Sequence, residues 1–193
     1  MTYVGQLWEQ PTILEYLRDR GLNDETIAEA QLGYVGVPER GHERMFHSIH
    51  IPYFDAAGRP RGSGRFRHLR PEMTRKYDQV HGDKVHMYGV ELTTKPRVYL
   101  TEGEFDALIL RQMGFHAVGI PGATTFQRQW KWLFRDCDLV VVVMDPDEAG
   151  DKAKSKIMGQ LSTVTDVREV DLPAGKDITD CFLADEAQLR SLL

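Results

Sequence analysis

The chain has 193 residues and a formal net charge of −5, with 41% hydrophobic and 27% charged residues. That balance belongs to a folded globular protein and excludes a disordered tail, a fibrous repeat and a uniformly basic nucleic-acid coat. The longest wholly apolar run is the six residues of Leu139–Met144, too short to span a bilayer. No basic-then-apolar leader opens the sequence, so the expectation is a cytoplasmic protein with no membrane partner. The two cysteines, Cys137 and Cys181, lie in no C-x-x-C or His-rich cluster, which excludes a disulfide framework and a structural zinc site.

In chain order, Ile13, Leu14 and Leu17 stand at helical spacing, with Gly21 placed to stop that helix. Asn23 or Asp24 can cap a second short helix carrying Ile27 and Ala30. Ile49–Phe54 reads as a strand, Asp55-Ala56-Ala57-Gly58 as a hairpin turn, and Arg65-Phe66-Arg67 as the return. The rhythm then changes near Lys95-Pro96. Strand-like Val98–Thr101 leads into a helix at Glu104–Met113, stopped by Gly114. Ala117–Ile120 is strand-like, Pro121-Gly122 turns the chain, and Phe126–Phe134 is helical, with Trp130, Trp132 and Phe134 expected to pack. Leu139–Met144 suits a central strand buried on both faces. A helix at Lys152–Leu161, a strand at Val167–Val170 and a helix at Ala184–Leu193 close the series. The fold class is therefore α+β. A small mixed N-terminal subdomain (1–95) precedes an α/β subdomain (96–193) with a mainly parallel sheet covered by helices.

Ligands of parallel α/β sheets gather at the carboxyl ends of the strands. Acids fall there after three separate strands. Glu102 ends the first, with Asp106 four residues on and on the same helical face. Asp145 and Asp147 follow the most apolar strand, and Asp177 and Asp180 follow the last. Singly, each has a plain structural role as a cap, a turn residue or an ion-pair partner. Jointly they form a pool of carboxylates that repel unless a cation neutralises them. With oxygen ligands and neither His nor Cys, Mg2+ or Mn2+ is the expected ion, in two or more copies, and not zinc.

Thr101-Glu102-Gly103-Glu104-Phe105-Asp106 and Val143-Met144-Asp145-Pro146-Asp147-Glu148-Ala149-Gly150 resemble the two signatures of the Toprim domain, shared by bacterial-type (DnaG-like) primases, topoisomerases and certain nucleases. Tyr16–Leu22, Leu32-Gly33-Tyr34, Ile51-Pro52 through Arg59, Gly62–Arg65, Lys76-Tyr77 and Met87–Val90 resemble the N-terminal part of the primase RNA-polymerase core, in the same order. The resemblance implies a DNA primase core making short RNA primers on single-stranded DNA from nucleoside triphosphates. Glu102, Asp106, Asp145, Asp147 and Asp177 fall on its metal-binding positions, with Glu102, Asp145 and Asp147 catalytic. Arg65, Arg67 and Lys76 fall on its template- and nucleotide-contacting region. Where primases often have Asp-Pro-Asp, this chain has Asp177-Ile178-Thr179-Asp180. The zinc-binding and helicase-binding domains of familiar primases are absent, which implies a bare core, phage-encoded or a fragment, served by a replicative helicase or a separate zinc-binding protein.

The residues themselves add a basic strip. Arg59 to Lys76 holds seven Lys or Arg and one acid, a local +6 that leaves −11 for the rest. Its plain reading is a solvated strand face. Its functional reading is a phosphate path, with Phe66 or Tyr77 as a stacking platform and Lys84 as a weaker contributor. Two other functions stay open: a nuclease using the same carboxylates, and a noncatalytic single-strand-binding module serving a helicase. A topoisomerase is disfavoured, since so short a chain carries no nucleophilic-Tyr domain. His42, His47 and His50 lie close in sequence without an evident fourth ligand.

Overall fold

The computed structural model describes residues 2–193, which divide into two units, one ending at Lys84 and the other comprising Val85–Leu193. The first opens with three short helices: α1 (Tyr3–Trp8), α2 (Pro11–Asp19) and α3 (Asp24–Glu29). α2 starts on a proline and buries Ile13, Leu14 and Leu17, the expected stripe. Asn23 caps α3 by accepting the Thr26 N–H at 2.8 Å. Four strands follow, β1 (Gly33–Tyr34), β2 (Ser48–Ile51), β3 (Arg65–His68) and β4 (Tyr77–Asp78), all antiparallel and in that spatial order. β2 stops at Ile51, short of the expected Phe54, because Pro52 has no N–H for the ladder. The Asp55–Gly58 turn forms as expected, the Gly58 N–H donating to the Asp55 carbonyl at 2.9 Å. The six-residue α1 and the two-residue β1 and β4 escaped sequence reading because such short elements show no periodicity.

The second unit holds β5 (Arg97–Glu102), α4 (Glu104–Gln112), β6 (Ala117–Ile120), β7 (Leu139–Val143), α5 (Glu148–Leu161), β8 (Asp166–Glu169), α6 (Ile178–Ala184) and α7 (Glu186–Leu192). Its sheet is parallel in the order β6-β5-β7-β8. β7 is buried from Val140 to Val143, which accounts for its unbroken valine run.

Two expected boundaries move. The division falls at Lys84/Val85, not at Lys95-Pro96, because Met87 and Val90 pack into the second core and Tyr88 pairs with Gly119 beside β6. Gly89, at a φ of 82°, lets the Arg111 guanidinium pass where a Cβ would collide with it, and Arg111 lies 4.8 Å over the Tyr88 ring. The expected helix at Phe126–Phe134 is instead a 3₁₀ stretch, Arg128–Phe134. Bulky aromatics of modest helix propensity and the absence of a capping side chain at Gln127 favour the tighter turn. Trp130 and Phe134 are buried as expected, but Trp132 is 58% exposed. The expected last helix, Ala184–Leu193, begins at Glu186, after Asp185, which caps α7 by accepting the Gln188 N–H. No helix among the described residues is long and apolar enough to cross a membrane.

Candidate metal centre

The five predicted acids end or follow β5 and β7, or cap α6; Asp145 comes directly after β7 and Met144, and the other four are each anchored by one oxygen. Glu102 ends β5, and its Oε1 accepts the Ala123 N–H at 2.9 Å. Its Oε2 is buried and has no hydrogen-bond partner. Asp106, one turn into α4, is buried; its Oδ1 accepts from the Thr179 N–H at 3.2 Å and the Thr179 hydroxyl at 3.0 Å. Asp147 caps α5 by taking the Gly150 N–H at 2.7 Å. That helix begins four residues ahead of the expected Lys152, which puts the acid at its N-terminus. Gly150 is required there, since a Cβ would run into the Asp145 carbonyl oxygen. Asp177 caps α6, accepting the Asp180 N–H at 2.7 Å, while Asp180 reaches back to the Asp177 N–H at 3.4 Å. Asp180 is thus half of a capping box.

The electrostatics sort these acids into two neighbourhoods. Burial, then the charges of Asp177 and Asp145, push the Asp106 carboxyl up to about 8, against which the Thr179 hydrogen bonds pull weakly. Burial also raises Glu102, with Asp147 adding to the rise and the Ala123 hydrogen bond opposing it. The described residues hold no ready-made cage of three or more acidic, His or Cys side chains. The donor set nevertheless fits a hard divalent cation: oxygen donors only, an orphaned buried oxygen at Glu102, and a carboxyl at Asp106 whose ionisation a cation would restore. Thr179 escaped sequence reading. Its signal was local, a hydroxyl and free N–H in the first turn after Asp177.

The basic strip is less uniform than its composition. Arg59 is held by Asp55 at 2.8 Å, and Arg70 donates to the Arg44 carbonyl at 2.8 Å. Arg61, Arg75, Lys76 and Lys84 are exposed. Arg65 lies 4.3 Å over the Tyr77 ring. Arg67 corrects the expectation: it is buried, with Nε donating to the Tyr16 hydroxyl and Nη1 to the Tyr77 hydroxyl, both at 2.8 Å. β3 is buried on both faces from Phe66 to His68, and tyrosines from α2 and β4 cover Arg67 and supply its acceptors. Phe66 is fully buried and Tyr77 is covered by Arg65, so neither is an open stacking platform.

A parallel sheet with Glu after one strand and Asp-x-Asp after its neighbour defines an acidic α/β domain of Toprim type, and residues 99–182 match the family described as Toprim-like. Gene 57 protein of Mycobacterium phage D29 is 32% identical over 105 residues, 53% of this chain and 67% of that protein. A DNA primase of Deinococcus radiodurans is 29% identical across 93% of this chain, but the chain spans only 39% of that primase. The Aquifex aeolicus primase fragment with zinc-binding and RNA polymerase domains superposes with a TM-score of 0.84 at 23% identity, covering 98% of this chain and 57% of that one. Residues 99–182 belong to the Toprim-like family, and the chain as a whole has the fold of DnaG-type primase catalytic cores.

Proposed function

We propose that the chain is the catalytic core of a DNA primase, a nucleotidyltransferase making short RNA primers on single-stranded DNA from nucleoside triphosphates. The observation that carries this reading is the extent of the likeness: the DNA primase of Deinococcus radiodurans aligns over 93% of the chain, well beyond the acidic domain that nucleases share. In this reading Glu102, Asp106, Asp145, Asp147 and Asp177 hold Mg2+ or Mn2+. Bound there, two or more such ions supply activation of the primer 3′-hydroxyl and neutralisation of the departing pyrophosphate. Glu102, Asp145 and Asp147 stand at the reacting centre. Burial raises the proton affinity of Glu102, and with Oε1 held by the Ala123 N–H its bare Oε2 is the oxygen it offers to the metal. Arg65 and Lys76, with Lys84 more weakly, hold phosphates of template or nucleotide, and Arg67 sets the platform that Arg65 rests on. A replicative helicase or a separate zinc-binding protein completes the machinery, and the site of action is the cytoplasm.

The test is incubation with single-stranded DNA, labelled nucleoside triphosphates and Mg2+ or Mn2+. New short RNA is expected. Shortened DNA without nucleotide dependence would replace this reading with a nuclease, and binding without either product would leave a noncatalytic module.

A further inference from the structure

A second concave site lies wholly within the first unit. It is a cavity of about 430 Å³ lined from the start of α1, the loop after β1 and the Gly62-Ser63-Gly64 turn that enters β3. Its lining rings interlock: the centroids of Tyr3 and His50 are 5.3 Å apart, and those of Tyr3 and His42 5.9 Å. Phe66 lies beneath, 5.1 Å from His50. The facing turn is pinned from two sides. The Ser63 N–H donates to Asp83 Oδ2 at 2.7 Å, and the Ser63 carbonyl lies 2.9 Å from His50 Nε2.

That last contact fixes the chemistry of His50. A carbonyl can only accept, so Nε2 carries the proton and, in the neutral ring, Nδ1 is left as an acceptor. Burial keeps the ring neutral. Nδ1 is buried and has no hydrogen-bond partner. Exposed Glu39, whose carboxylate can only accept, is also among the lining residues. Gln31 lines it too, at a left-handed φ of 52° directly after α3, a place glycine ordinarily takes. Exposed Arg40 and Arg61 adjoin Glu39 and Gly62 in the chain and offer charge to a phosphate.

The Tyr3, His42 and His50 rings line the cavity and offer it aromatic surface, and its volume admits a base with its sugar. The two acceptors complement an exocyclic amine, which thymine and uracil lack. We propose that this cavity binds a nucleobase bearing an exocyclic amine, with Arg40 and Arg61 on the adjoining phosphate. The base comes either from a single strand or from a free nucleotide. The first source rests on the reading of the chain as a single-strand-binding primase core; the second does not.

The test compares short oligo(dC) and oligo(dT) by fluorescence anisotropy, and CMP with TMP by the His50 imidazole 15N signals. Oligo(dC) is expected to bind at least about fivefold tighter than oligo(dT). Glu39→Ala should reduce that ratio to below about twofold while leaving oligo(dT) affinity unchanged, as should His50→Phe in a protein whose melting temperature is preserved. Glu39 is exposed, so its variant folds even where His50→Phe does not. If the strands bind alike but CMP, and not TMP, moves the Nδ1 signal, the cavity takes a free nucleotide. Equal strand binding with no CMP effect overturns the cavity proposal and leaves the primase reading standing. No binding by either strand, with no CMP effect, removes both.

Discussion

The two units treat charge in opposite ways. In the first, three cations of the strip are matched within the unit: Arg67 by two tyrosine hydroxyls, Arg70 by a carbonyl, Arg59 by Asp55. In the second, Asp106 is buried and Glu102 half-buried beside other acids, with Thr179 and the Ala123 N–H as their hydrogen-bond partners. A matched charge stabilises the scaffold that encloses it. A charge buried against its like costs stability, and a protein keeps it where a ligand offsets that cost. The difference tells a matched charge from an unmatched one more sharply than composition does, since by count alone both the basic strip and the acidic pool stand out.

The largest effect should come from breaking the acidic side. Replacing both Asp145 and Asp147 with Asn should lower primer synthesis by about 1000-fold or more and abolish the rise in melting temperature on adding Mg2+ or Mn2+. Asn caps a helix about as well as Asp, so α5 should survive. Single-strand binding should persist. An unchanged metal-dependent melting shift in the folded double variant would remove both residues from the metal site.

The matched side should break differently. Arg67→Met leaves two tyrosine hydroxyls without their donor and should cost about 3 kcal/mol in denaturant unfolding. Arg61→Ala should change stability by no more than about 0.5 kcal/mol, yet flatten the salt dependence of single-strand binding. If Arg67→Met keeps full stability and loses strand affinity, Arg67 is a contact residue after all.

This contrast also marks what could be read in the sequence. Strand-end reading put Glu102, Asp106, Asp145, Asp147 and Asp177 toward one end of the sheet, because chain direction fixes where the residues that follow each parallel strand emerge. The valine run of β7 and the capped α3 were legible from local chemistry. Arg67 was not, because its partners come from Tyr16 and Tyr77, far apart in the chain and brought together only by the sheet. Met87–Val90 looked like the tail of the first unit for the same reason: its bond is to Gly119, a contact with no local signal.

The acidic side carries its own pH dependence. The folded Asp106 carboxyl sits at about 8, above its ordinary value near 4, so the folded state holds this proton more tightly than the unfolded chain. Its contribution is fully present below the unfolded value and is lost as pH rises toward 8. Glu102 shifts in the same direction. Without divalent cations, stability should therefore decline between about pH 4 and 8, and Asp106→Asn should flatten that decline in denaturant melts. A slope equal to the parent's would place the carboxyl in a more polar setting than its burial indicates.

Asp180 gives the smallest and most discriminating effect, because it lies in the acidic unit yet is matched in the manner of the first. Its carboxylate faces the Asp177 N–H at 3.4 Å as one half of a capping box, at an exposed position. Asp180→Ala removes that acceptor but leaves the Asp177 cap on the Asp180 N–H, so the loss should be about 0.5 kcal/mol. Primer synthesis should stay within about twofold of the parent, since a residue spent on a helix end has no transition-state charge to meet. The metal-dependent melting shift should be unchanged as well. A loss of synthesis beyond about tenfold, in a protein this nearly as stable as its parent, would move Asp180 from the helix end into the set of acids that meet the metal.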